Sequence, residues 1–275
     1  MKLVLAGVML AFVVGSVSTA FSQPPLTGVL VRYGVAVDGG VEATFEAHTA
    51  PTLPVTPGAF AIPLAALSSA TGSDRIAAAY VFGILAGRSG RAASAQEVAA
   101  AGQALTVMIS ADDRRSRVAG ARVAGRIFTA PFDRSGLRQR VPAGMVDALF
   151  ALLNRDQEVD QLVAMDALGL LRETTAVDAL TERYYFYRND NRRALAGGAL
   201  EALARIGGTS SVDIVKQAAA DPWADGRDAT ALAVAFARER LLRDGSISVI
   251  RKALDDRARR DQARGYLAEL GAPVP

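Results

Sequence analysis

The 275-residue chain contains no cysteine, which excludes disulfide bonds, thiolate metal ligands and a lipid-modified cysteine anchor. It has one histidine, His48, so a metal centre with several imidazole ligands is excluded. No recognised motif places a serine next to His48, so the sequence does not indicate a serine hydrolase. Aromatic residues make up only 6% of the chain, although 51% of it is hydrophobic. A core built from alanine, leucine and valine favours closely packed helices over a sheet sandwich.

Lysine is also scarce, and arginine carries nearly all of the positive charge. The only lysines are Lys2, Lys216 and Lys252. The formal net charge is +3, which is small for a chain of this length. So small a net charge is weak evidence for nucleic acid as a partner. Export of the protein would make a nucleic-acid partner less expected still.

The N-terminus has the layout of a secretory signal peptide. Met1-Lys2 precedes the apolar run from Leu3 to Val14, and small residues follow as far as Ala20. The apolar run is shorter than the roughly 20 residues that a membrane span needs, so cleavage is expected after Ala20. The sequence therefore predicts an exported protein, periplasmic or secreted, with no membrane span after cleavage. The alternative is an uncleaved N-terminal anchor in the inner membrane, facing the periplasm.

Beyond the signal peptide, residues 1–20, the chain divides into two regions. Residues 21–57 form an extension in which Val29–Val37 and Val41–His48 are rich in β-branched and aromatic residues and flank an Asp-Gly-Gly turn. This pattern predicts a short β-hairpin, and a proline-rich connector follows it. From residue 58 to residue 275 every strong signal is helical. Residues 58–275 are therefore interpreted as the helical domain.

The helical domain contains a repeated unit, which is clearest in Asn191–Gly207. Apolar residues recur there at helical spacing over most of the helix surface. Related helices occur at separations of about 31 to 44 residues, within the range typical of solenoids. A second amphipathic segment lies between successive copies, so each unit is predicted to be a helical hairpin. The positions that align with Ala204 are Gly83, Gly125, Gly169, Ala237 and Ala268.

The pattern Asp, Arg, Ala-Ala, Ala-Leu-Gly, Ile-Gly, with a short partner helix, resembles HEAT repeats of the short, phycobilisome-lyase-like type. The resemblance covers about residues 58–275 and implies an all-α, right-handed α-solenoid of about six HEAT-like hairpins, here preceded by the β-hairpin. It says almost nothing about function. An arginine ladder between the repeats is expected to break in the middle of the domain. The usual arginine position is held by Arg75, Arg117 and Arg260 and is lost at Gln161, Ala196 and Ala229.

Some proteins of this repeat class are enzymes, among them the di-iron deoxyhypusine hydroxylases, which carry His-Glu pairs in their repeats. In this chain the only histidine lies outside the repeats. The acidic pairs Asp112-Asp113 and Asp255-Asp256 lie where helices are predicted to begin, and N-capping explains them. The sequence therefore predicts no catalytic, cofactor-binding or metal-ligating residue and no cofactor, and the chain is interpreted as not an enzyme.

Two features are candidates for binding a partner. The second helix of each HEAT-like hairpin lines the concave side of the stack, so the polar positions of these helices predict a binding groove. The segment Arg183–Arg188 contains four successive aromatic residues, which cannot all face inward, so one of them is expected to be exposed or covered by a neighbouring repeat. The candidate partner-binding residues are Tyr80, Arg122, Arg126, Asp166, Glu201, Arg205, Tyr185 and Phe186.

The leading hypothesis is a non-catalytic scaffold or adaptor that binds a protein partner through its concave face. One alternative is an enzyme, or an accessory subunit of an enzyme, of the lyase-like HEAT class. A second alternative is a structural spacer, in which charge reversals at Arg122, Asp166 and Glu201 would have no effect. The identity of the partner and the oligomeric state stay open.

Overall fold

The structure is a computed structural model of the chain. It describes residues 58–89, 93–128 and 141–274, together with Glu42, Phe45 and Val55. This part of the chain contains twelve α-helices, three short 3₁₀ helices and no strand. The α-helices are α1 (Ala61–Ser69), α2 (Gly72–Ser89), α3 (Ala95–Ile109), α4 (Arg114–Ile127), α5 (Ala143–Leu153), α6 (Glu158–Leu170), α7 (Val177–Asn189), α8 (Arg193–Ile206), α9 (Thr209–Ala219), α10 (Ala229–Leu242), α11 (Ile247–Lys252) and α12 (Arg260–Glu269).

The helices pack in the order in which they occur along the chain. Each odd-numbered helix contacts the even-numbered helix that follows it, and the even-numbered helices α2, α4, α6, α8, α10 and α12 contact one another in series. This packing is consistent with an α-solenoid and confirms the all-α prediction for the described residues. Among those residues, no helix combines the length and the hydropathy that crossing a membrane requires.

The predicted signal peptide and nearly all of the predicted β-hairpin lie outside the described residues. The exceptions in the hairpin are Glu42 and Phe45, and both have helical backbone conformation, where the sequence pattern predicts a strand. Both side chains contact α2 and α4, Glu42 through Tyr80 and Arg122 and Phe45 through Tyr80 and Arg126.

The aligned positions of the repeat are points of close approach between successive even-numbered helices. A Cβ atom added to Gly125 would lie 3.1 Å from the Cα atom of Ala167, and one added to Gly169 would lie 2.6 Å from the Cα atom of Ala202. In each case the facing residue comes two positions before the aligned residue of the next unit. Successive even-numbered helices therefore pack in the same register. The facing pairs are Gly83 with Val123, Gly125 with Ala167, and Gly169 with Ala202.

The repeat's arginine position binds a backbone carbonyl group in the last turn of the preceding helix or in the turn that follows it. Gln161 makes the same kind of contact, so its departure from arginine does not remove the interaction. The bonds run from Arg75 Nε to the Leu67 oxygen (3.0 Å), from Arg117 Nη1 to the Ala111 oxygen (3.1 Å), from Gln161 Nε2 to the Arg155 oxygen (2.6 Å) and from Arg260 Nε to the Leu254 oxygen (2.8 Å).

Arg117 also links two units through a buried ion pair. Its Nε and Nη2 atoms donate to Oδ2 of Asp160 at 3.0 and 2.8 Å, and the two side chains are 5% and 0% exposed. A second arginine, Arg155, lies 3.5 Å from the same oxygen but is half-exposed. Because Asp160 has no access to solvent, losing Arg117 would leave its carboxyl group buried without its closest partner.

Replacing Gly169 with alanine should destabilise the protein by about 1–3 kcal/mol, because the new Cβ atom would meet the backbone of α8 and force α6 and α8 apart. Urea unfolding followed by circular dichroism measures the change. Gly265→Ala is the matched control, since that helical glycine has open space around it and should gain up to about 1 kcal/mol. Equal effects of both substitutions would contradict the close approach.

Arg117→Ala should lower the free energy of unfolding by about 3–5 kcal/mol, because it leaves the Asp160 carboxylate buried without its main partner. Arg115→Ala on the same helix is the control, and since Arg115 is exposed its effect should stay within about 0.5 kcal/mol. The double substitution Arg117→Met with Asp160→Leu should recover most of the loss. If Arg117→Ala behaved like the control, the ion pair would not hold the two units together.

Candidate functional site

Three of the predicted binding residues line one groove. Arg122, Asp166 and Glu201 lie on α4, α6 and α8, and their side chains border a cavity of about 330 Å³. Each of them comes three residues before an aligned small residue, so the repeat places all three on the same face of its helix. The series of contacts between even-numbered helices then brings these faces side by side.

Small residues of α8 and α10 give the groove its depth. Ala194 and Ala229 are exposed at the first turns of these helices, and they flank the opening. Gln262 of α12 closes the far side. The remaining small residues of the lining are Gly197, Gly198, Thr230 and Ala233.

Arg205 lies beneath the groove and holds three helices together. Its side chain is only 7% exposed, so it is not the groove-lining residue that the sequence predicts. It donates to Oδ1 of Asp166 on α6 at 2.8 Å and to both carboxylate oxygens of Glu269 on α12 at 2.9 Å. Oε2 of Glu201, one turn earlier on α8, lies 3.5 Å away. One buried guanidinium thus faces three carboxylates.

Glu201 is the carboxylate of this cluster with the most perturbed ionisation. Burial raises its pKa from the ordinary value of 4.5 to about 7; the charges of Asp166 and Glu269 also raise it, while Arg205 and the hydroxyl of Tyr266 lower it. The Tyr266 hydroxyl donates to Oε1 of Glu201 and accepts a hydrogen bond from Nε2 of Gln262 at 2.7 Å. Its pKa lies well above the usual range, chiefly because the ring is buried.

Two other predicted residues, Tyr80 and Arg126, are covered by the N-terminal segment. The ring of Phe45 lies 5.1 Å from that of Tyr80, and the guanidinium of Arg126 lies 4.1 Å from the centre of the Phe45 ring. Arg126 also donates to the Phe45 carbonyl oxygen. Glu42 accepts hydrogen bonds from Arg122 at 2.8 Å and from the Tyr80 hydroxyl at 3.2 Å. The chain itself therefore occupies the part of the predicted groove that lies on α2 and on the end of α4.

The aromatic candidates lie on α7, apart from the groove. Tyr185 is half-buried, and its hydroxyl donates to Oε1 of Gln217 on α9 at 2.7 Å. Phe186 is 54% exposed. Both outcomes expected for this segment are present, since one aromatic ring is covered by the next unit and the other faces solvent. The structure does not bring either residue to Arg122, Asp166 and Glu201.

Sequence reasoning missed Tyr266 and Gln262. The positions that align with Tyr266 hold Val123, Ala167 and Ala202, which are all buried and apolar, so a core residue was the natural interpretation. A single tyrosine in a series of small residues was the available signal, because a buried tyrosine hydroxyl needs a hydrogen-bond partner.

Within residues 58–89, 93–128 and 141–274, no group of three or more histidine, aspartate or glutamate side chains is arranged to hold a metal ion. No family model, no curated protein and no solved structure matches this chain.

The raised pKa of Glu201 predicts a pH dependence of stability. The unfolded chain ionises this group near its ordinary value of 4.5, whereas the folded protein ionises it near 7. Its contribution is therefore complete below about pH 4.5 and is lost as the pH rises to about 7, a change of about 3 kcal/mol. Glu201→Gln should remove this slope, as measured by urea unfolding at a series of pH values.

Both proteins in that comparison should carry His48→Gln, because His48 is the only histidine and would titrate in the same range. Asp213→Asn, an exposed change on α9, should leave the slope intact. A slope that survives Glu201→Gln would show that another group is responsible.

Proposed function

We propose that this protein is an exported, non-catalytic scaffold or adaptor that binds a segment of a protein partner in the groove on its even-numbered helices. One observation carries the proposal: Arg122, Asp166 and Glu201, on three successive even-numbered helices, line a single groove of about 330 Å³. A partner segment lying along it would contact several units at once, as is usual for solenoids.

The chemistry of the groove supports recognition of a polypeptide segment. The small residues Gly197, Gly198 and Ala233 let a backbone or a short side chain come close to the helices. The charged side chains of Arg122 and Asp166 stand at its border and select for complementary charges. Arg205 fixes α6, α8 and α12 relative to one another, so the wall of the groove is formed before a partner arrives.

We also infer that the twelve helices form six HEAT-like hairpins wound as a right-handed superhelix, with the even-numbered helices on the concave side. The contacts between each odd-numbered helix and its successor support this arrangement. The repeated register of Gly83, Gly125 and Gly169 supports it as well. The basis for export is the signal-like layout of residues 1–20.

One observation favours the alternative of an enzyme or an enzyme accessory subunit. A carboxyl group with a pKa of about 7 at the border of a groove, as in Glu201, is suited to general acid–base chemistry. Its Oε1 atom, however, is held by Tyr266, and its Oε2 atom faces Arg205. A chromophore or metal that copurified with the protein would support this alternative.

Photocrosslinking in the native host tests the scaffold proposal. A photoreactive residue at Ala194 or Ala229 places the probe at the opening of the groove without disturbing the buried network, because both side chains are exposed there. Both positions should form an adduct with the same protein. Asp213 on α9, whose side chain is 71% exposed, is the control position and should give no adduct.

Charge reversal at Asp166, whose side chain is 43% exposed, should reduce the adduct yield at least tenfold, because it changes the sign of one border of the groove and removes the bond from Arg205 that fixes its wall. Charge reversal at Asp213 should leave the yield unchanged. If neither Ala194 nor Ala229 gave a specific adduct, or if the Asp166 change had no effect, the groove would not be the binding surface and the structural spacer would be favoured.

A further inference from the structure

A second cavity, of about 460 Å³, lies at the carboxyl-terminal ends of α8, α10 and α12. Six of its lining residues are charged: Arg172, Arg205, Arg240, Arg243, Glu239 and Glu269. The four arginines outnumber the two glutamates, so the lining has an excess of positive charge. Glu269 is engaged through both oxygens by Arg205, and Glu239 accepts a hydrogen bond from the Ile247 backbone at 3.0 Å.

Arg240 is a half-buried cation in this cavity. Its Nε atom donates to the Ala204 carbonyl oxygen at 3.0 Å, and the guanidinium lies 5.9 Å from the centre of the Phe236 ring. In the part of the chain that the structure describes, no carboxylate forms an ion pair with it. Burial lowers the pKa of Arg240; the charge of Glu269 opposes this effect, and the neighbouring charges of Arg172 and Arg205 add to it. An anion in the cavity would relieve both the effect of burial and that of the neighbouring arginines.

Arg243 stands at a position where glycine would be more stable. It ends α10 in the left-handed conformation, with φ 52° and ψ 43°. After α8 and α12 the residues with positive φ are Gly207 and Gly271, whereas after α6 the residue is another arginine, Arg172. A side chain is disfavoured there relative to glycine. Compensation of the helix dipole does not require arginine at this position, because Arg240 already lies in the last turn of α10.

We propose that this cavity is a binding site for a phosphate-bearing ligand, held by the guanidinium groups of Arg240 and Arg243. Two guanidinium forks match the oxygens of a phosphate group and balance its double negative charge. The cavity has the volume of a small-molecule site, which leaves room for the group that carries the phosphate. The site is separate from the groove and does not depend on the function proposed above.

Inorganic phosphate is the first probe. The melting temperature of the purified full chain is followed by circular dichroism at pH 7.5 while phosphate replaces sodium chloride at constant ionic strength. A saturable rise is expected with phosphate and none with acetate. Arg243→Gly should raise the melting temperature without phosphate, because it relieves the left-handed conformation, and should weaken the phosphate response at least tenfold.

If Arg243→Gly melts at a higher temperature but responds less to phosphate, its loss of binding does not come from misfolding. Arg240→Gln should weaken the response to a similar degree, whereas Arg227→Gln, an exposed change outside the cavity, should leave it unchanged. The proposal is overturned if phosphate has no saturable effect on the melting temperature of the unchanged protein. It is also overturned if phosphate raises the melting temperatures of Arg243→Gly and Arg240→Gln as much as that of the unchanged protein. A lower melting temperature for Arg243→Gly without phosphate would also overturn it, because the side chain would then serve the fold.

Two sources of the phosphate group are separated by cosedimentation with phosphatidylcholine vesicles that contain or lack phosphatidic acid. Cosedimentation that needs phosphatidic acid and is lost in Arg243→Gly assigns the site to a lipid headgroup. A phosphate response without cosedimentation assigns it to a soluble phosphate ester. Both results support a phosphate site and differ only in what the phosphate is attached to.

Discussion

The close approach of successive even-numbered helices is the constraint on which the rest of the structure depends. Gly169 has no side chain, so the backbone of α8 comes very close to it. A Cβ atom added to Gly169 would lie 2.6 Å from the Cα atom of Ala202. Asp166 is one turn from Gly169 and Glu201 is next to Ala202, so the helix separation also sets the distance between their carboxylates. A wider separation would draw Asp166 away from Arg205 and open the wall of the groove.

The buried guanidinium of Arg205 converts this packing into a fixed arrangement of charges. It faces Asp166, Glu201 and Glu269, which would leave a net negative cluster if all three were ionised. Burial makes such an excess unfavourable. A proton on Glu201 reduces that excess, and burial raises the pKa of this carboxyl group to about 7. The network therefore gains negative charge as the pH rises through about 7.

The sequence predicted the helical repeat well because its signal is local. The periodicity of Asn191–Gly207 and the alignment on Ala204 both depend only on spacing along the chain. The same alignment placed Arg122, Asp166 and Glu201 on equivalent faces, and the structure brings them to one groove.

What the sequence did not predict depends on contacts between distant residues. The bond between Tyr266 and Glu201 joins positions 65 residues apart, and no periodicity reports on it. The burial of Arg205 follows from carboxylates on two other helices. Periodicity also gave no sign that Glu42 and Phe45 contact α2 and α4, because these contacts join positions about 35 to 81 residues apart.

Arg205 lies between the groove and the arginine-lined cavity, so the two sites share a charge. Its partners Asp166 and Glu201 line the groove, whereas Arg205 itself and Glu269 line the cavity. When Glu201 loses its proton, its negative charge attracts the Arg205 guanidinium more strongly from the groove side. An anion in the cavity would attract the same guanidinium from the cavity side. Because one buried cation responds to both, the charge state of each site enters the free energy of the other.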